Sequence, residues 1–121
     1  MNYSLSAFQK NTPFKSRLYE SKKFIETYPE RVPIICERLT SLTNNTPQID
    51  KKKYLVQRDM TLGQFVYVIK KRLKLTPEKA IFLFINGAIL QFSARIESIY
   101  DIYKHDDGFL YITYSFENTF G

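Results

Sequence analysis

The last seven residues of the chain, 115–121, form a short polar tail that ends in a glycine. A glycine carboxylate suits acyl transfer, because a residue without a Cβ can pass through a narrow channel to a catalytic cysteine that any side chain would obstruct. This chemistry would make Gly121 an acyl donor. A frayed terminus could have the same residues, so the elements before the tail decide between the two interpretations.

Few other residues have the type and spacing that catalysis needs. Cys36 lies in an apolar predicted strand, which indicates a buried structural thiol, since a nucleophilic cysteine needs a cationic, partly exposed site. His105 and the pair Asp106–Asp107 precede Gly108 in a polar segment, and we interpret them as solvated turn residues. One histidine and one cysteine cannot form a zinc site. We therefore expect no metal, no cofactor and no catalytic site, and interpret the chain as a substrate or binding module rather than an enzyme.

The composition predicts a single folded domain. Of the 121 residues, 44% are hydrophobic and 16% aromatic, which is enough for one modest core. The single cysteine excludes an intramolecular disulfide, and no apolar run reaches the roughly 20 residues that span a bilayer. No N-terminal stretch resembles a signal peptide, so we expect a cytoplasmic location. Association with a membrane would be peripheral or through a covalent lipid.

Charge is unevenly distributed along the chain, whose formal net charge is +6. Nine basic and two acidic residues lie between positions 51 and 79, whereas two basic and five acidic residues follow Ile81. A basic segment of this kind could bind acidic peptides, nucleic acid or an anionic lipid surface. Aromatic residues lie between the basic ones, but no recognised nucleic-acid signature is present. We therefore expect no nucleic-acid partner.

The elements that must position these residues follow from the apolar periodicity. It predicts helices over residues 14–28, 61–73 and 96–104 and strands over residues 32–37, 53–57, 81–85 and 109–114. Residues 1–12 could form a short helix, and Asn86–Gly87 is a strong tight-turn signal. Pro33 places its strand at a sheet edge or at the strand start. The order predicts an α+β fold, a ubiquitin-like β-grasp with a four-stranded mixed sheet and two additional N-terminal helices.

Five blocks of the sequence resemble the autophagy ubiquitin-like modifiers, the family of GABARAP and the microtubule-associated protein light chains. The blocks are Arg31–Glu37, Asp50–Val56, Thr61–Arg72, Pro77–Phe82 and Asp107–Gly121. The resemblance as a whole covers roughly residues 12–121 in the same order, and several long motifs in register are more specific than any one of them. With this resemblance we divide one compact domain into an N-terminal helical extension (1–28), a β-grasp core (29–114) and a flexible conjugation tail (115–121).

The resemblance implies a covalent role for the tail. E1-like and E2-like enzymes would activate the carboxylate of Gly121 and join it to phosphatidylethanolamine. A dedicated cysteine protease would recognise Phe120 and Gly121, remove any residues beyond the glycine, and reverse the conjugation. Phosphatidylethanolamine has two acyl chains, and two chains give stable anchoring where one is marginal. We therefore expect the lipidated form on the autophagosome membrane.

The resemblance also implies docking of receptors that contain aromatic-x-x-aliphatic motifs with acidic residues nearby. Such a peptide would add as a strand to an edge at Lys53–Gln57. The aromatic pocket would be lined by Phe24, Pro33, Ile35, Lys53, Leu55 and Phe109. The aliphatic pocket would be lined by Tyr54, Val56, Met60, Phe65, Val68 and Ile69. The acidic flank would contact Arg31, Lys51, Lys53 and Arg72.

Some positions depart from the family pattern. Gln57 stands where most relatives have proline, Phe24 is bulkier than the usual aliphatic residue, and Phe116 is bulky in a tail that is usually small or polar at that point. These departures support a second hypothesis, an unconjugated adaptor or trafficking tether that uses only the docking face. A third hypothesis, an RNA- or cytoskeleton-binding protein, rests on the basic segment 51–79 and predicts a steep salt dependence of binding.

Overall fold

The computed structural model describes residues 5–39 and 46–116. The helices in these residues are α1 (Ala7–Asn11), α2 (Phe14–Thr27), α3 (Leu62–Arg72) and α4 (Ile96–Tyr103). The strands are β1 (Arg31–Arg38), β2 (Lys53–Gln57), β3 (Phe82–Ile85), β4 (Ala88–Ile89) and β5 (Leu110–Ser115). The three long predicted helices and the four predicted strands are therefore present, with ends that differ by one residue at most.

Local sequence explains where α1 and α3 begin. At α3 the Thr61 hydroxyl accepts a hydrogen bond from the Gln64 N–H at 3.2 Å, and the Gln64 side chain accepts one from the Thr61 N–H at 2.8 Å. Ser6 and Gln9 make the same reciprocal pair at α1. These capping boxes satisfy N–H groups that a helix cannot pair internally. Helix α3 ends just before Lys74, which has a positive φ of 60°.

The strands form one mixed sheet in the order β2-β1-β5-β3-β4. Strand β1 pairs antiparallel with β2 and parallel with β5, and β3 pairs antiparallel with β5 and β4. The prediction of four strands is corrected to five, because the two residues of β4 after the Asn86–Gly87 turn are too few to give a strand pattern in the sequence. Pro33 lies near the start of β1, where pairing with β5 begins only at Ile34.

The two faces of the sheet are covered differently. Side chains alternate along a strand, and one set packs with α3 and α4 into the main core. This set comprises Val32, Ile34, Cys36, Tyr54, Val56, Leu83, Ile85, Leu110, Ile112 and Tyr114. The alternate set, which includes Ile35 and Leu55, lies on the opposite face. Helix α2 covers this face, where Phe24 packs against Phe109 with ring centroids 6.5 Å apart.

A buried ionic contact attaches α2 to the loop before β5. Arg17 Nη1 donates to Asp107 Oδ2 at 2.6 Å, and the Asp107 side chain has no exposed surface. The Tyr111 hydroxyl donates to the same carboxylate oxygen, and the Phe109 N–H donates to the other at 2.9 Å. The interpretation of Asp107 as a solvated turn residue is therefore wrong, whereas its neighbour Asp106 is exposed. Removal of one member would leave the other as an unpaired buried charge.

The loop before β5 is also held by close packing. The Ser21 hydroxyl donates to the Asp107 carbonyl oxygen, and the Asp107 N–H donates to His105 Nδ1 at 3.0 Å. His105 lies in the loop between α4 and β5, as predicted. Its side chain is 39% exposed, so it is only partly solvated. Gly108 has a φ of +90°, and a Cβ at this position would overlap the side chain of Ser21. A glycine is therefore required where α2 meets this loop.

Candidate functional site

Strand β2 is an edge of the sheet, and no other strand among residues 5–39 and 46–116 pairs with its outer row of backbone groups. The Cys36 N–H donates to the Lys52 carbonyl at 2.8 Å, which makes these two residues a hydrogen-bonded pair. In an antiparallel ladder, such pairs alternate with non-hydrogen-bonded pairs. The N–H and C=O groups of Lys53, Leu55 and Gln57 therefore point away from β1. An extended peptide could pair with them.

A cavity that we call the α2-side pocket opens beside this edge, on the face covered by α2. It has a volume of about 320 Å³ and is lined by Phe24, Arg31, Lys51, Lys53, Tyr54, Leu55 and Phe109. Four of the six residues assigned to the aromatic pocket therefore line one cavity. The other two, Pro33 and Ile35, are buried on β1 opposite Leu55 and Lys53.

The opposite face of β2 is what we call the α3-side surface. It comprises the six residues assigned to the aliphatic pocket: Tyr54, Val56, Met60, Phe65, Val68 and Ile69. Tyr54 and Phe65 pack edge to face with ring centroids 5.5 Å apart. Phe65 and Ile69 have no exposed surface, whereas Met60 and Val68 are only partly buried. The six residues lie together, but most of them belong to the core, and a partner would first meet Met60 and Val68.

Helix α1 also contributes to this region, which the sequence did not predict. A second cavity of about 450 Å³ adjoins the α2-side pocket and includes Phe8, Glu20 and Lys53 in its lining. The Phe8 ring packs edge to face on Phe109 with centroids 5.2 Å apart. Lys53 Nζ lies 2.7 Å from a Glu20 carboxylate oxygen and 5.0 Å from the centre of the Phe8 ring. The only sequence signal was the helical spacing of Leu5 and Phe8.

The predicted cations for an acidic flank occupy two different places. Arg31 and Lys51 line the α2-side pocket, and Lys51 Nζ lies 5.1 Å above the Tyr54 ring. Arg72 instead binds the Asp50 carboxylate through Nε at 2.7 Å and Nη2 at 3.3 Å. The hydrogen bond from Arg72 lowers the pKa of Asp50. Because both groups are exposed, this ion pair is weak.

The root of the C-terminal tail is fixed by two contacts. The Phe116 N–H donates to Thr46 Oγ1 at 2.8 Å, and Lys79 Nζ lies 4.1 Å from the centre of the Phe116 ring. A cation above a ring face is attracted by the ring quadrupole. The predictions for Phe120 and Gly121 lie outside the described residues.

The described residues offer little other chemistry. Cys36 is fully buried, as predicted, and burial raises the pKa of its thiol. Residues 5–39 and 46–116 contain no group of three or more side chains able to hold a metal ion. None of the helices in these two segments is long and apolar enough to cross a bilayer.

Over residues 16–121 the chain matches a protein family described as autophagy protein Atg8, ubiquitin-like. Two curated relatives, each similar over 116 residues, are Autophagy-related protein 8 of Coccidioides immitis (52% identical) and of Schizosaccharomyces pombe (53% identical). The alignments cover 96% of this chain and 97% and 94% of those proteins.

Solved structures give the same relationship. The crystal structure of Trypanosoma brucei ATG8 is similar with a TM-score of 0.89 and 42% identity, over 98% of this chain and 100% of that one. Plasmodium falciparum Atg8 in complex with a Plasmodium falciparum Atg3 peptide has a TM-score of 0.81 and 30% identity, over 93% of this chain and 98% of that one. The similarity spans nearly the whole chain in sequence and in structure.

Proposed function

Because this chain belongs to the Atg8 family of autophagy ubiquitin-like proteins, we propose that it is a modifier joined through Gly121 to phosphatidylethanolamine on autophagosomal membranes. In the same proposal it recruits receptors by docking aromatic-x-x-aliphatic motifs. The chain is then a substrate of conjugation enzymes and not an enzyme itself. The observation that carries the docking role is the outer edge of β2, which lies between the α2-side pocket and the α3-side surface.

The spacing of the motif follows from the geometry of an added strand. Side chains of an extended peptide alternate between the faces of the sheet, so residues i and i+3 point to opposite faces, about 10 Å apart along the strand. An aromatic residue i would enter the α2-side pocket beside Phe24 and Phe109. An aliphatic residue i+3 would rest on Met60 and Val68 on the α3-side surface.

Charge explains the acidic residues near the motif. Arg31 and Lys51 line the α2-side pocket, so carboxylates next to the aromatic residue would lie close to two cations. Each filled apolar pocket contributes about 1.5–3 kcal/mol before other terms, and each exposed ion pair contributes ~0.2–1 kcal/mol. After the cost of association, micromolar affinity is expected. Arg72 would contribute only when it leaves Asp50.

The conjugation role is supported by family membership and by the C-terminal glycine. Plasmodium falciparum Atg8 forms a complex with an Atg3 peptide, which supports an Atg3-like, E2-like enzyme as a partner of this chain. An E1-like enzyme and a dedicated cysteine protease that recognises Phe120 and Gly121 complete the proposed set of partners. The two acyl chains of the lipid would make membrane residence long-lived until the protease reverses conjugation.

A conjugation assay tests this proposal. The full chain and Gly121→Ala are incubated with E1-like and E2-like enzymes, ATP and vesicles that contain phosphatidylethanolamine, and intact mass is read for each. Wild type should gain the mass of one lipid, whereas Gly121→Ala should gain none and bind an acidic motif peptide as well as wild type does. The outcome against conjugation is an unchanged mass of wild type while a known relative is conjugated in the same tube.

One observation favours an unconjugated adaptor or trafficking tether as the second candidate function. Phe116, a departure from the family pattern, is held at the tail root by Thr46 and Lys79. Such contacts could restrict access of conjugation enzymes to the tail. If wild type is not conjugated but Phe116→Ser is, the bulky residue blocks the reaction, and the adaptor function gains support.

A further inference from the structure

The C-terminal tail leaves the sheet at one of its two ends. Strands β1 and β5 run parallel and finish at this end, whereas their antiparallel neighbours β2 and β3 begin there. The C-terminus of α3 reaches the same end, because Lys70 Nζ donates to the Pro77 carbonyl at 2.9 Å and Arg72 binds Asp50. We call residues 37–39, 46–52, 70–81 and 115–116 the tail-exit end.

The tail-exit end is strongly basic, and the opposite end is not. Eight basic residues of the tail-exit end are Arg38, Lys51, Lys52, Lys70, Lys71, Arg72, Lys74 and Lys79, and its three acidic residues are Glu37, Asp50 and Glu78. The opposite end of the sheet, residues 29–31, 57–61, 86–95 and 105–109, has three basic and four acidic residues. The basic end of the sheet is therefore the end from which the C-terminal tail extends.

Two of the three carboxylates at the tail-exit end are already paired. Glu37 lies 3.2 Å from Lys52 Nζ, and Asp50 binds Arg72. Lys71, Lys74 and Lys79 are exposed, and no ion pair between described residues involves them. They remain available to an external anionic partner.

The length of the tail limits what that partner can be. Five residues follow Phe116, so Gly121 lies at most about 17 Å along the chain from the tail root. A lipid attached at Gly121 would therefore hold the tail-exit end close to the headgroup layer, where the Debye length at physiological salt is about 8 Å. A tail shorter than its full extension would bring the exposed lysines within that range, whereas nucleic acid or an acidic protein would have to be recruited independently.

We propose that the tail-exit end is a docking surface for the headgroups of anionic phospholipids, engaged when Gly121 has been joined to its lipid. This inference rests on the proposed conjugation. Strand β2 runs from the tail-exit end toward the opposite end, so contact through the tail-exit end directs β2 away from the bilayer. The basic surface thus orients the anchored protein with its docking edge open to receptors.

The test replaces the enzymes by chemical tethering. The full chain with Gly121→Cys is coupled to a maleimide lipid in vesicles of phosphatidylcholine, with or without phosphatidylserine. Cys36 is fully buried, so the wild-type chain should not couple and serves as the control for a single attachment site. The acylation rate of each lysine by an amine-reactive reagent is then measured by mass spectrometry, at low salt and at 1 M salt, where the Debye length is about 3 Å.

The expected result is slower acylation of Lys70, Lys71 and Lys79 on phosphatidylserine vesicles at low salt only. Two exposed lysines of α2, Lys15 and Lys22, should react equally on both lipids. The double variant Lys71→Gln/Lys74→Asn should reduce the protection of Lys79 by about fivefold per removed charge. The matched variant Lys15→Gln/Lys22→Gln removes the same charge from α2 and should keep that protection.

The proposal is overturned if phosphatidylserine protects none of these lysines, or if both double variants reduce protection equally, since that pattern reports net charge alone. Stronger protection by soluble RNA or by an acidic peptide than by the vesicles would assign the surface to that partner instead. Because tethering needs no conjugation enzyme, a negative result here leaves Gly121 conjugation intact. Conversely, if the enzymatic assay fails, the tethering experiment still reports whether the tail-exit end contacts anionic headgroups.

Discussion

The two faces of strand β2 differ in how deeply their side chains are buried and in what covers them. The α3-side surface is continuous with the main core, and Phe65 and Ile69 in it have no exposed surface. The α2-side pocket is a cavity of about 320 Å³ beside a helix held partly by polar contacts, such as Lys53–Glu20 at 2.7 Å. Substitutions on the α2 side should therefore change binding more than stability, and substitutions on the α3 side should do the reverse.

The largest expected effect compares one phenylalanine from each side. Phe65→Ala removes a fully buried ring and should lower the free energy of unfolding by about 3–5 kcal/mol. Phe24→Ala removes a half-buried ring and should lower the free energy of unfolding by about 1 kcal/mol. It should also lower the affinity for a motif peptide about tenfold. Urea unfolding and calorimetric titration measure the two quantities. Equal destabilisation by both substitutions would remove the distinction between the sides.

The attachment of α2 can be weakened at Asp107, which lines neither the α2-side pocket nor the α3-side surface. Asp107→Asn leaves Arg17 as a buried cation without its carboxylate and should lower stability by about 3 kcal/mol. Amides of α2 should then exchange faster than amides of α3. The matched substitution Asp106→Asn changes an exposed neighbour and should stay within about 0.5 kcal/mol of wild type. Similar effects of the two substitutions would contradict the structural role of the buried pair.

A smaller effect is expected at the edge between the two sides. Leu55→Pro removes an N–H that points away from β1, so the sheet should keep its own hydrogen bonds. A net hydrogen bond is worth about 0.5–1.5 kcal/mol, and peptide affinity should fall about tenfold. Leu55→Ala controls for the lost side chain. Unchanged peptide binding by Leu55→Pro would exclude strand addition at this edge.

The smallest effect concerns Arg72, which is paired on the surface. Asp50→Asn should free its guanidinium and strengthen binding of an acid-flanked peptide about twofold. Arg72 lowers the pKa of Asp50 in the folded protein. The ion pair therefore favours folding at pH values above the unfolded pKa of about 3.9, and this contribution is lost as the pH falls through the lower pKa of the folded state. The affinity difference between wild type and Asp50→Asn should therefore disappear in acid. No difference at neutral pH would mean that Arg72 does not contact the peptide.

Local sequence predicted the elements that depend on local interactions. Helix α3 has both a 3.6-residue apolar period and a capping residue, Thr61, so its limits were predicted to within one residue. The buried Cys36 followed from its apolar strand. The roles assigned to the pocket residues came from family resemblance and stay predictions, although four of the six aromatic-pocket residues line one cavity.

Contacts between residues that lie far apart along the chain could not be predicted from the sequence. Arg17 and Asp107 are 90 residues apart, and a carboxylate beside a glycine resembles a solvated turn until its partner is known. Phe8 covers Phe109 through a five-residue helix, which is too short for a clear period. An apolar stripe shows that a face will be buried, but it does not identify the distant residue that buries it.

Residue-resolved amide hydrogen exchange, with and without an acidic aromatic-x-x-aliphatic peptide, tests the docking account most directly. New protection should appear at the amides of Lys53 and Leu55, whose N–H groups point away from β1. The amides of Tyr54 and Val56 already face β1 and should change little. Protection confined to α2 or β4, with no change along β2, would contradict docking by strand addition.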